Sequence, residues 1–236
     1  MRALTFSYDD GVTTDQRLIS IFNKYGIKAT FNITTGDNDP SYKGWYTKDK
    51  SFVIRNDFND ESIVKSYSGH EIACHCRNHL FLNKASDDEI SEQILGNRND
   101  LERIFGFAPS GIAYPYNSYD DRCVKLLREN GFLYAREGGV GGETMSFDLQ
   151  ENLFGFQPTC HHDNEHIFEL ADEFINTDYD DLKIFYIWGH SYEFEQFNNW
   201  DHIEKLCKVL SGHDDIFYGT NQEVFRLQKD WENKNI

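Results

Sequence analysis

The chain has 236 residues and a mass of 27.6 kDa, and its 40 acidic and 23 basic residues give a formal net charge of −17. Nucleic acids and anionic lipids bind to basic protein surfaces, and a protein this acidic is not expected to have one. The charge therefore argues against both as partners. Hydrophobic residues make up 39% of the chain and aromatic residues 15%, enough for a packed core. We therefore expect one folded domain over residues 1–236.

The first residues of the chain show no apolar leader. Residues 1–6 run directly into a β-prone segment, and no apolar stretch reaches the ~18 residues that a membrane helix needs. Five cysteines form an odd number without the spacing of a disulfide framework. We expect reduced thiols and a cytoplasmic location.

Strand and helix patterns alternate along the chain. Strands are predicted at 3–8, 27–33, 71–74, 111–114, 132–135, 183–188 and 215–218. Helices are predicted at 14–25, 86–105, 120–130, 166–176, 200–210 and 221–227. Ser86 and Glu89, which open the second helix, have the spacing of a capping box. Residues 40–60 and 138–142 are predicted to be irregular.

Repeated strand-then-helix units predict an α/β fold with parallel strands and helices outside them. Seven such units favour a barrel over an open sheet. In β/α barrels the chemistry lies at the carboxyl ends of the strands. We therefore expect functional polar residues to cluster directly after several of these strands.

The first strand ends in Asp9 and Asp10, followed by Gly11. Successive side chains of an extended backbone point to opposite sides, so we expect one carboxylate to bind a metal and the other to face a substrate water. Glycine allows the chain to turn sharply behind them. Taken alone, the motif is equally typical of an acidic turn.

The third strand ends near His75 and His79. Two histidines four residues apart share a helical face or face one another across a tight turn. With a carboxylate they form the three-ligand, open set that is typical of catalytic zinc. A chance pair on a surface turn is the alternative, because the chain has nine histidines.

Two more strand ends carry polar motifs. Residues 114–116 read Tyr-Pro-Tyr, in which the proline fixes the backbone and leaves the N–H of Tyr116 for a site. His190 follows an apolar strand and is placed for acid–base work. Taken alone, residues 114–116 could be an ordinary proline turn and His190 a structural histidine. Because all of these motifs are expected on one rim, a functional role is favoured for both.

Together these motifs resemble those of the NodB-type polysaccharide deacetylases, carbohydrate esterase family 4. The resemblance rests on residues 5–11, on residues 69–79 with their two histidines, and on residues 114–116 and 188–190. It implies a distorted seven-stranded β/α barrel. It also implies a metal-dependent hydrolase that removes acetyl groups from an N- or O-acetylated sugar or oligosaccharide.

The resemblance further implies a role for each motif residue. Asp10, His75 and His79 would hold a divalent metal, with zinc as the expected ion. Asp9 would be the general base and His190 the general acid that protonates the leaving amine or alcohol. The chemistry is sensible, because a bound metal polarises a carbonyl and lowers the pKa of water.

Tyr116 would use its backbone N–H to help hold the oxyanion. The chain departs from the family pattern at Ala113, where an arginine usually orients the catalytic base. We hypothesise that Arg136, which follows the fifth strand, replaces that arginine and pairs with Asp9. Cys76 stands where the family has Ser or Thr, and we interpret it as a residue other than a metal ligand.

Three segments carry weaker expectations. Residues 160–162, Cys-His-His, line the substrate groove or form a polar loop, and the loop is favoured. Glu193 could shape a sugar platform, whereas Trp200 is expected in the core. His70 is expected at the start of the third strand, away from the rim.

Two other function classes remain open. One is a sugar-binding or metal-binding homologue that kept the barrel and lost turnover, which Ala113 favours. The other is a metal hydrolase of a different bond, such as a phosphoester, which the acidic composition disfavours. The acetylated substrate, the choice of amide or ester, and the oligomeric state are not determined by the sequence.

Overall fold

The computed structural model describes residues 1–36, 43–138 and 143–235, and in these ranges it contains ten strands and nine α-helices. The strands are β1 Arg2–Asp10, β2 Ala29–Ile33, β3 Gly44–Tyr46, β4 Phe52–Ile54, β5 Glu71–Cys74, β6 Gly111–Ala113, β7 Tyr134–Arg136, β8 Cys160–His161, β9 Lys183–Gly189 and β10 Ile216–Tyr218. The helices are α1 Asp15–Lys24, α2 Glu61–Ser66, α3 Asp87–Ser91, α4 Asn97–Phe105, α5 Asp121–Glu129, α6 Ile167–Asn176, α7 Ser191–Gln196, α8 Trp200–Leu210 and α9 Asn221–Asn235.

Parallel strands form one curled sheet in the order β7-β6-β5-β2-β1-β9-β8, and β10 pairs with the first residues of β1. Strands β3 and β4 form a separate antiparallel pair. This curled parallel sheet, flanked by helices, confirms the predicted seven-stranded β/α barrel. Its carboxyl ends meet at one rim, as such barrels require.

Strand β1 lies at the centre of the sheet and is buried along its whole length. Its flanks differ in extent, because β9 pairs with residues 2–8 and β2 pairs with residues 6–10. Its polar residues Thr5 and Ser7 are buried as completely as its apolar ones and are hydrogen-bonded there. The same strand therefore carries two aspartates into the middle of the rim.

The predicted strands and long helices are present, with ends that shift by a few residues. The structure adds four short features that the sequence patterns did not indicate: the β3–β4 hairpin inside the segment predicted to be irregular, helix α2, strand β8 and helix α7. Elements of two to six residues are too short to show a periodicity. Of the predicted irregular segment 138–142, residues 139–142 lie outside the described residues.

All five cysteines are buried and unpaired, at Cys74, Cys76, Cys123, Cys160 and Cys207. Among the described residues, no helix combines the length and the apolar character that crossing a membrane demands.

The capping box predicted at the start of the second helix is confirmed. Glu89 donates its backbone N–H to the Ser86 hydroxyl, and its carboxylate accepts from the Ser86 backbone N–H at 2.8 Å. The helix begins with α3, continues through a π-helical segment at Glu92–Gly96 and ends after α4 at Gly106, which has a left-handed backbone. Both helix ends therefore follow from local sequence signals.

We expect Ser86→Ala to lower the free energy of unfolding by about 1 kcal/mol, because it removes the side-chain acceptor of the cap. Glu89→Gln preserves both bonds of the box and should cost much less. Urea unfolding of the two variants measures the difference. Equal losses in both variants would contradict this account of the helix start.

Candidate active site

The end of β1 turns both of its aspartates toward the rim. Asp10 has a φ of 83° and Gly11 a φ of 74°, so the backbone leaves the extended region at Asp10. The expectation that the two carboxylates point to opposite sides is therefore wrong, since side-chain alternation holds only for an extended chain. Glycine is required at position 11, where an added Cβ would lie 2.9 Å from the Cγ2 of Ile33.

Asp10, His75 and His79 bring one potential ligand atom each to the same place. The Nε2 atoms of both histidines lie 3.6 Å from Asp10 Oδ1, and all three ligand atoms are within 4.8 Å of one another. Cys76 and His79 have positive φ values of 63° and 52°, so the two histidines face one another across a tight turn. Of the two arrangements open from the sequence, the structure has the turn.

His75 has a ring orientation that suits a metal ligand. Its Nδ1 lies 2.8 Å from the carbonyl oxygen of Ala113, which can only accept, so Nδ1 carries the proton and Nε2 has a free lone pair. Nε2 is buried and has no hydrogen-bond partner among the described residues. A buried, unpartnered lone pair beside a carboxylate and a second imidazole fits a divalent cation.

The pKa values of this cluster favour neutral imidazoles. Burial lowers the pKa of His75 and that of His79 to about 4 each. Burial also raises the pKa of Asp10, an effect that the imidazoles of His190 and His75 partly offset. At neutral pH both histidines therefore present lone pairs rather than positive charges.

Asp9 on β1 is held by Arg136, which reaches it from β7 across the curled sheet. Nη2 of Arg136 donates to both carboxylate oxygens of Asp9, and Asn32 donates to Oδ1 at 2.9 Å. Strand register places Arg136 directly opposite Ala113. The guanidinium therefore reaches Asp9 from the strand next to the position where the family carries its arginine.

The Arg136–Asp9 pair is almost completely buried, with 1% and 5% of the side-chain surfaces exposed. Burial alone would raise the pKa of Asp9, but the charge of Arg136, helped by the imidazoles of His75 and His190, holds that pKa below its usual range. The carboxylate is thus ionised at neutral pH. Arg136 also lies 5.1 Å from the centre of the Trp188 ring, which shields it from solvent.

His190 faces the aspartates from the end of β9. Its Nε2 lies 4.0 Å from Asp10 Oδ2, and its Nδ1 lies 3.3 Å from the carboxylate oxygen Oε2 of Glu193. Burial would lower the pKa of His190, but Glu193, Asp10 and Asp9 outweigh it and raise the pKa to about 9. The imidazole is therefore protonated at neutral pH, as a general acid must be.

One pocket of about 730 Å³ joins these groups. Of the site residues predicted from the sequence, those that line it are Asp9, Asp10, His75, His79, Tyr116 and His190. Arg136 does not line it and acts from behind Asp9. The pocket unites groups from four strand ends, which is the clustering that the sequence led us to expect.

Aromatic rings flank the pocket on two sides. Tyr116, with a φ of 55°, stacks on Phe81 at 4.2 Å between ring centres and contacts the His79 ring at 4.4 Å. On the other side Trp45 and Tyr192 meet edge to face at 6.0 Å. Sequence analysis missed this second pair, because Trp45 lies in the short hairpin and Tyr192 in the short helix α7.

The Cys-His-His segment is neither a polar loop nor a simple groove wall. Cys160 and His161 form strand β8, which pairs with β9. His162 is fully buried, with its ring stacked near those of Tyr8 and Phe194. The polar composition of the segment suggested an exposed loop, but the neighbouring aromatic rings bury the His162 imidazole.

Other weaker expectations have clear outcomes. Cys76 packs in the main hydrophobic core, and Trp200 is buried in the same cluster. His70 precedes β5, where its Nδ1 accepts the backbone N–H of Ala29 at 3.2 Å. Glu193 contacts His190, so its position is that of a partner of the imidazole and not of a sugar platform. The spacing of three residues, typical of a capping box, was the signal that could have revealed it.

A curled parallel β/α barrel that gathers Asp10, His75 and His79 at its rim has the architecture of the carbohydrate-deacetylase fold. A model of the family described as polysaccharide deacetylase matches residues 1–135, more than half of the chain, and the chain belongs to this family. This confirms the resemblance drawn from the rim motifs. The family corresponds to the carbohydrate esterase family 4 fold.

Named relatives agree with this assignment. The chain is 24% identical over 159 residues to the peptidoglycan-N-acetylglucosamine deacetylase of Bacillus cereus, an alignment that covers 64% of this chain and 52% of the relative. The chain thus spans about half the length of that relative.

Two solved structures share the fold. A putative polysaccharide deacetylase from Mycobacterium smegmatis matches with a TM-score of 0.64 at 15% identity, covering 97% of this chain and 91% of that one. A family 4 acetyl xylan esterase from Clostridium thermocellum, determined with a cobalt ion, matches with a TM-score of 0.59 at 18% identity, covering 96% and 92%.

We expect Arg136→Ala to lower the free energy of unfolding by about 3–5 kcal/mol, because it leaves the buried Asp9 charge without a partner. Adding Asp9→Ala to that variant should restore part of the loss, since the uncompensated charge is then gone. Arg136→Lys, which keeps the charge, should cost less than Arg136→Ala. Denaturant titration of wild type, these three variants and Asp9→Ala alone checks this, and a double variant whose loss equals the sum of the two single losses would contradict it.

Proposed function

We propose that the protein is a metal-dependent hydrolase that removes acetyl groups from an N- or O-acetylated sugar or oligosaccharide. The observation that carries the proposal is the meeting of an Asp-His-His cluster with a buried carboxylate and a protonated imidazole in one pocket. The peptidoglycan and acetyl xylan named for two relatives support an acetylated carbohydrate as substrate. We further propose that residues 1–236 form one catalytic domain.

Asp10, His75 and His79 are the residues proposed to hold the metal. Two imidazoles and one carboxylate leave coordination positions open, as catalytic zinc centres do, and we propose zinc as the ion. A divalent ion held there supplies Lewis acidity, which polarises the acetyl carbonyl and lowers the pKa of a coordinated water. The carbonyl of Ala113 fixes the His75 ring for this task from behind.

Asp9 is proposed as the general base. Its carboxylate is ionised at neutral pH and is held in place by Arg136 and Asn32. A carboxylate fixed in this way accepts a proton from the attacking water without first having to reorient. We assign Arg136 the role that an arginine at position 113 has elsewhere in the family.

His190 is proposed as the general acid and Tyr116 as an oxyanion donor. Protonated His190 gives its Nε2 proton to the leaving amine, or to the leaving alcohol of an acetyl ester. Tyr116 would donate its backbone N–H to the negative charge that develops on the carbonyl oxygen. Both residues line the same pocket, which is the arrangement that the two assignments require.

Substrate charge is a further element of the proposal. With a net charge of −17, the protein repels strongly anionic polymers, which favours a neutral or weakly charged acetylated sugar. The cytoplasmic location inferred from the sequence stays a prediction.

A binding homologue that lost turnover is the second candidate, and Ala113 is the observation in its favour. Against it, the buried Arg136 provides the guanidinium that Ala113 lacks and contacts both oxygens of Asp9. The pair keeps Asp9 ionised beneath the pocket, which is what a general base requires.

The metal assignment predicts that His79→Ala lowers the bound zinc from about one equivalent to well below half, because it removes one of three ligands. A second group of possible ligands consists of His161, His162 and Asp163, and His162→Ala, which removes one of them, should keep its zinc. Elemental analysis of both folded variants after dialysis measures this. Zinc loss in His162→Ala with retention in His79→Ala would move the site to the other cluster.

The catalytic assignment predicts acetate release from acetylated chito-oligosaccharides or xylo-oligosaccharides in the presence of zinc. Asp9→Asn should lower kcat by about 10²–10⁴-fold, because it removes the base while keeping the side-chain shape. Coupled detection of acetate measures both proteins. A metal-loaded wild type that releases no acetate from a broad panel would favour the binding homologue.

A further inference from the structure

Glu193 directs one carboxylate oxygen, Oε2, at nitrogen atoms of three different histidines, the farthest of which is Nε2 of the buried His162 at 3.5 Å. Oε2 lies 2.9 Å from the backbone N of His190, 3.1 Å from Nε2 of His161 and 3.3 Å from Nδ1 of His190. We propose that Glu193 is the positioning residue of the general acid, held by His161 in the orientation that this task needs. The inference rests on the proposed function, because it concerns the same His190.

The start of helix α7 places Glu193 against His190. His190 is the residue before the helix and Glu193 is its third residue, the two positions of a capping box. The Glu193 carboxylate therefore accepts the His190 backbone N–H for the same reason that glutamates accept at other helix starts. This local bond fixes the carboxylate next to the imidazole of the same residue.

His161 holds the carboxylate from a second direction. The backbone N–H of Asp163 donates to Nδ1 of His161 at 3.2 Å, so the proton of the neutral ring is on Nε2. That Nε2–H points at Glu193 Oε2. Because His161 lies opposite Trp188 on the paired strands β8 and β9, its ring position is set by the sheet.

The arrangement leaves His190 one suitable orientation. With Nδ1 facing Oε2 of Glu193, Nε2 faces the pocket, 4.0 Å from Asp10 Oδ2. Trp188 and Tyr192 pack on the imidazole with ring centres 5.6 Å and 5.0 Å away. A fixed negative charge on the Nδ1 side orients the ring so that its Nε2 is directed into the pocket.

A purely structural role for Glu193 as a helix cap would not require its negative charge. A helix cap needs only an acceptor for the His190 backbone N–H, and glutamine supplies one as well as glutamate does. Orienting a protonated imidazole needs the negative charge. Glu193→Gln therefore separates the two roles while keeping the helix start.

The test compares Glu193→Gln with Glu195→Gln, which is a matched control on the same helix. The Glu195 carboxylate accepts a hydrogen bond from Nε1 of Trp200 and does not line the pocket. Each zinc-loaded protein is assayed on an N-acetylated oligosaccharide and on 4-nitrophenyl acetate, whose leaving group departs without protonation. We expect Glu193→Gln to lower kcat on the amide about 10–100-fold with KM nearly unchanged, and to lower ester turnover less than about threefold. Glu195→Gln should behave as wild type.

Equal losses on both substrates would overturn the proposal, because damage to the fold affects every substrate alike. Unchanged turnover on both would overturn it as well. Rescue of amide turnover by added primary ammonium salts, which replace a missing proton donor, would support a defect in the acid step.

A second measurement does not depend on turnover. Long-range ¹H–¹⁵N spectra of the zinc-loaded protein, assigned with His190→Asn, report which ring nitrogen of His190 carries a proton. We expect a protonated Nδ1 in wild type and in Glu195→Gln, and loss of that state in Glu193→Gln. An unchanged His190 signal in Glu193→Gln would overturn the positioning role, whereas absence of acetate release in wild type would count against the proposed function alone.

Discussion

The buried ion pair between Asp9 and Arg136 is the contact on which the site depends. Two aspartates end the central strand, where desolvation penalises a charge on either of them. Arg136 offsets that penalty for Asp9 and keeps its carboxylate ionised beneath the pocket. Asp10 lies instead beside the imidazoles of His75, His79 and His190, which is why we propose separate roles for the two neighbouring carboxylates.

Each reactive group of the pocket has a partner behind it. Ala113 holds His75 by its carbonyl, Arg136 holds Asp9, and Glu193 faces Nδ1 of His190. Ala113 comes from the next strand and Glu193 from the next helical turn, whereas Arg136 reaches Asp9 from β7 across the curled sheet. All three partners belong to regular elements of the fold, which fixes where they start. A rim built in this way has little to reorganise during a reaction.

The rim residues were predictable because parallel strands end at one edge and each carries its motif just after an apolar run. The geometry at Asp10 was not, since its positive φ reverses the alternation that the extended residues before it obey. Short elements were also missed, and one of them, α7, carries Glu193 and Tyr192 into the site. The family resemblance supplied the roles that spacing alone left open.

The sequence by itself determined the order of strands and helices, the capping box at Ser86 and the residues that meet at the rim, because periodicity and capping are local properties. The pairing of Arg136 with Asp9 was a hypothesis drawn from the family resemblance, and the tertiary structure confirmed it, because the register of β6 and β7 sets Arg136 opposite Ala113. Only the tertiary structure decided that His162 is buried and that Glu193 meets His161, since contacts between distant segments depend on how the sheet curls.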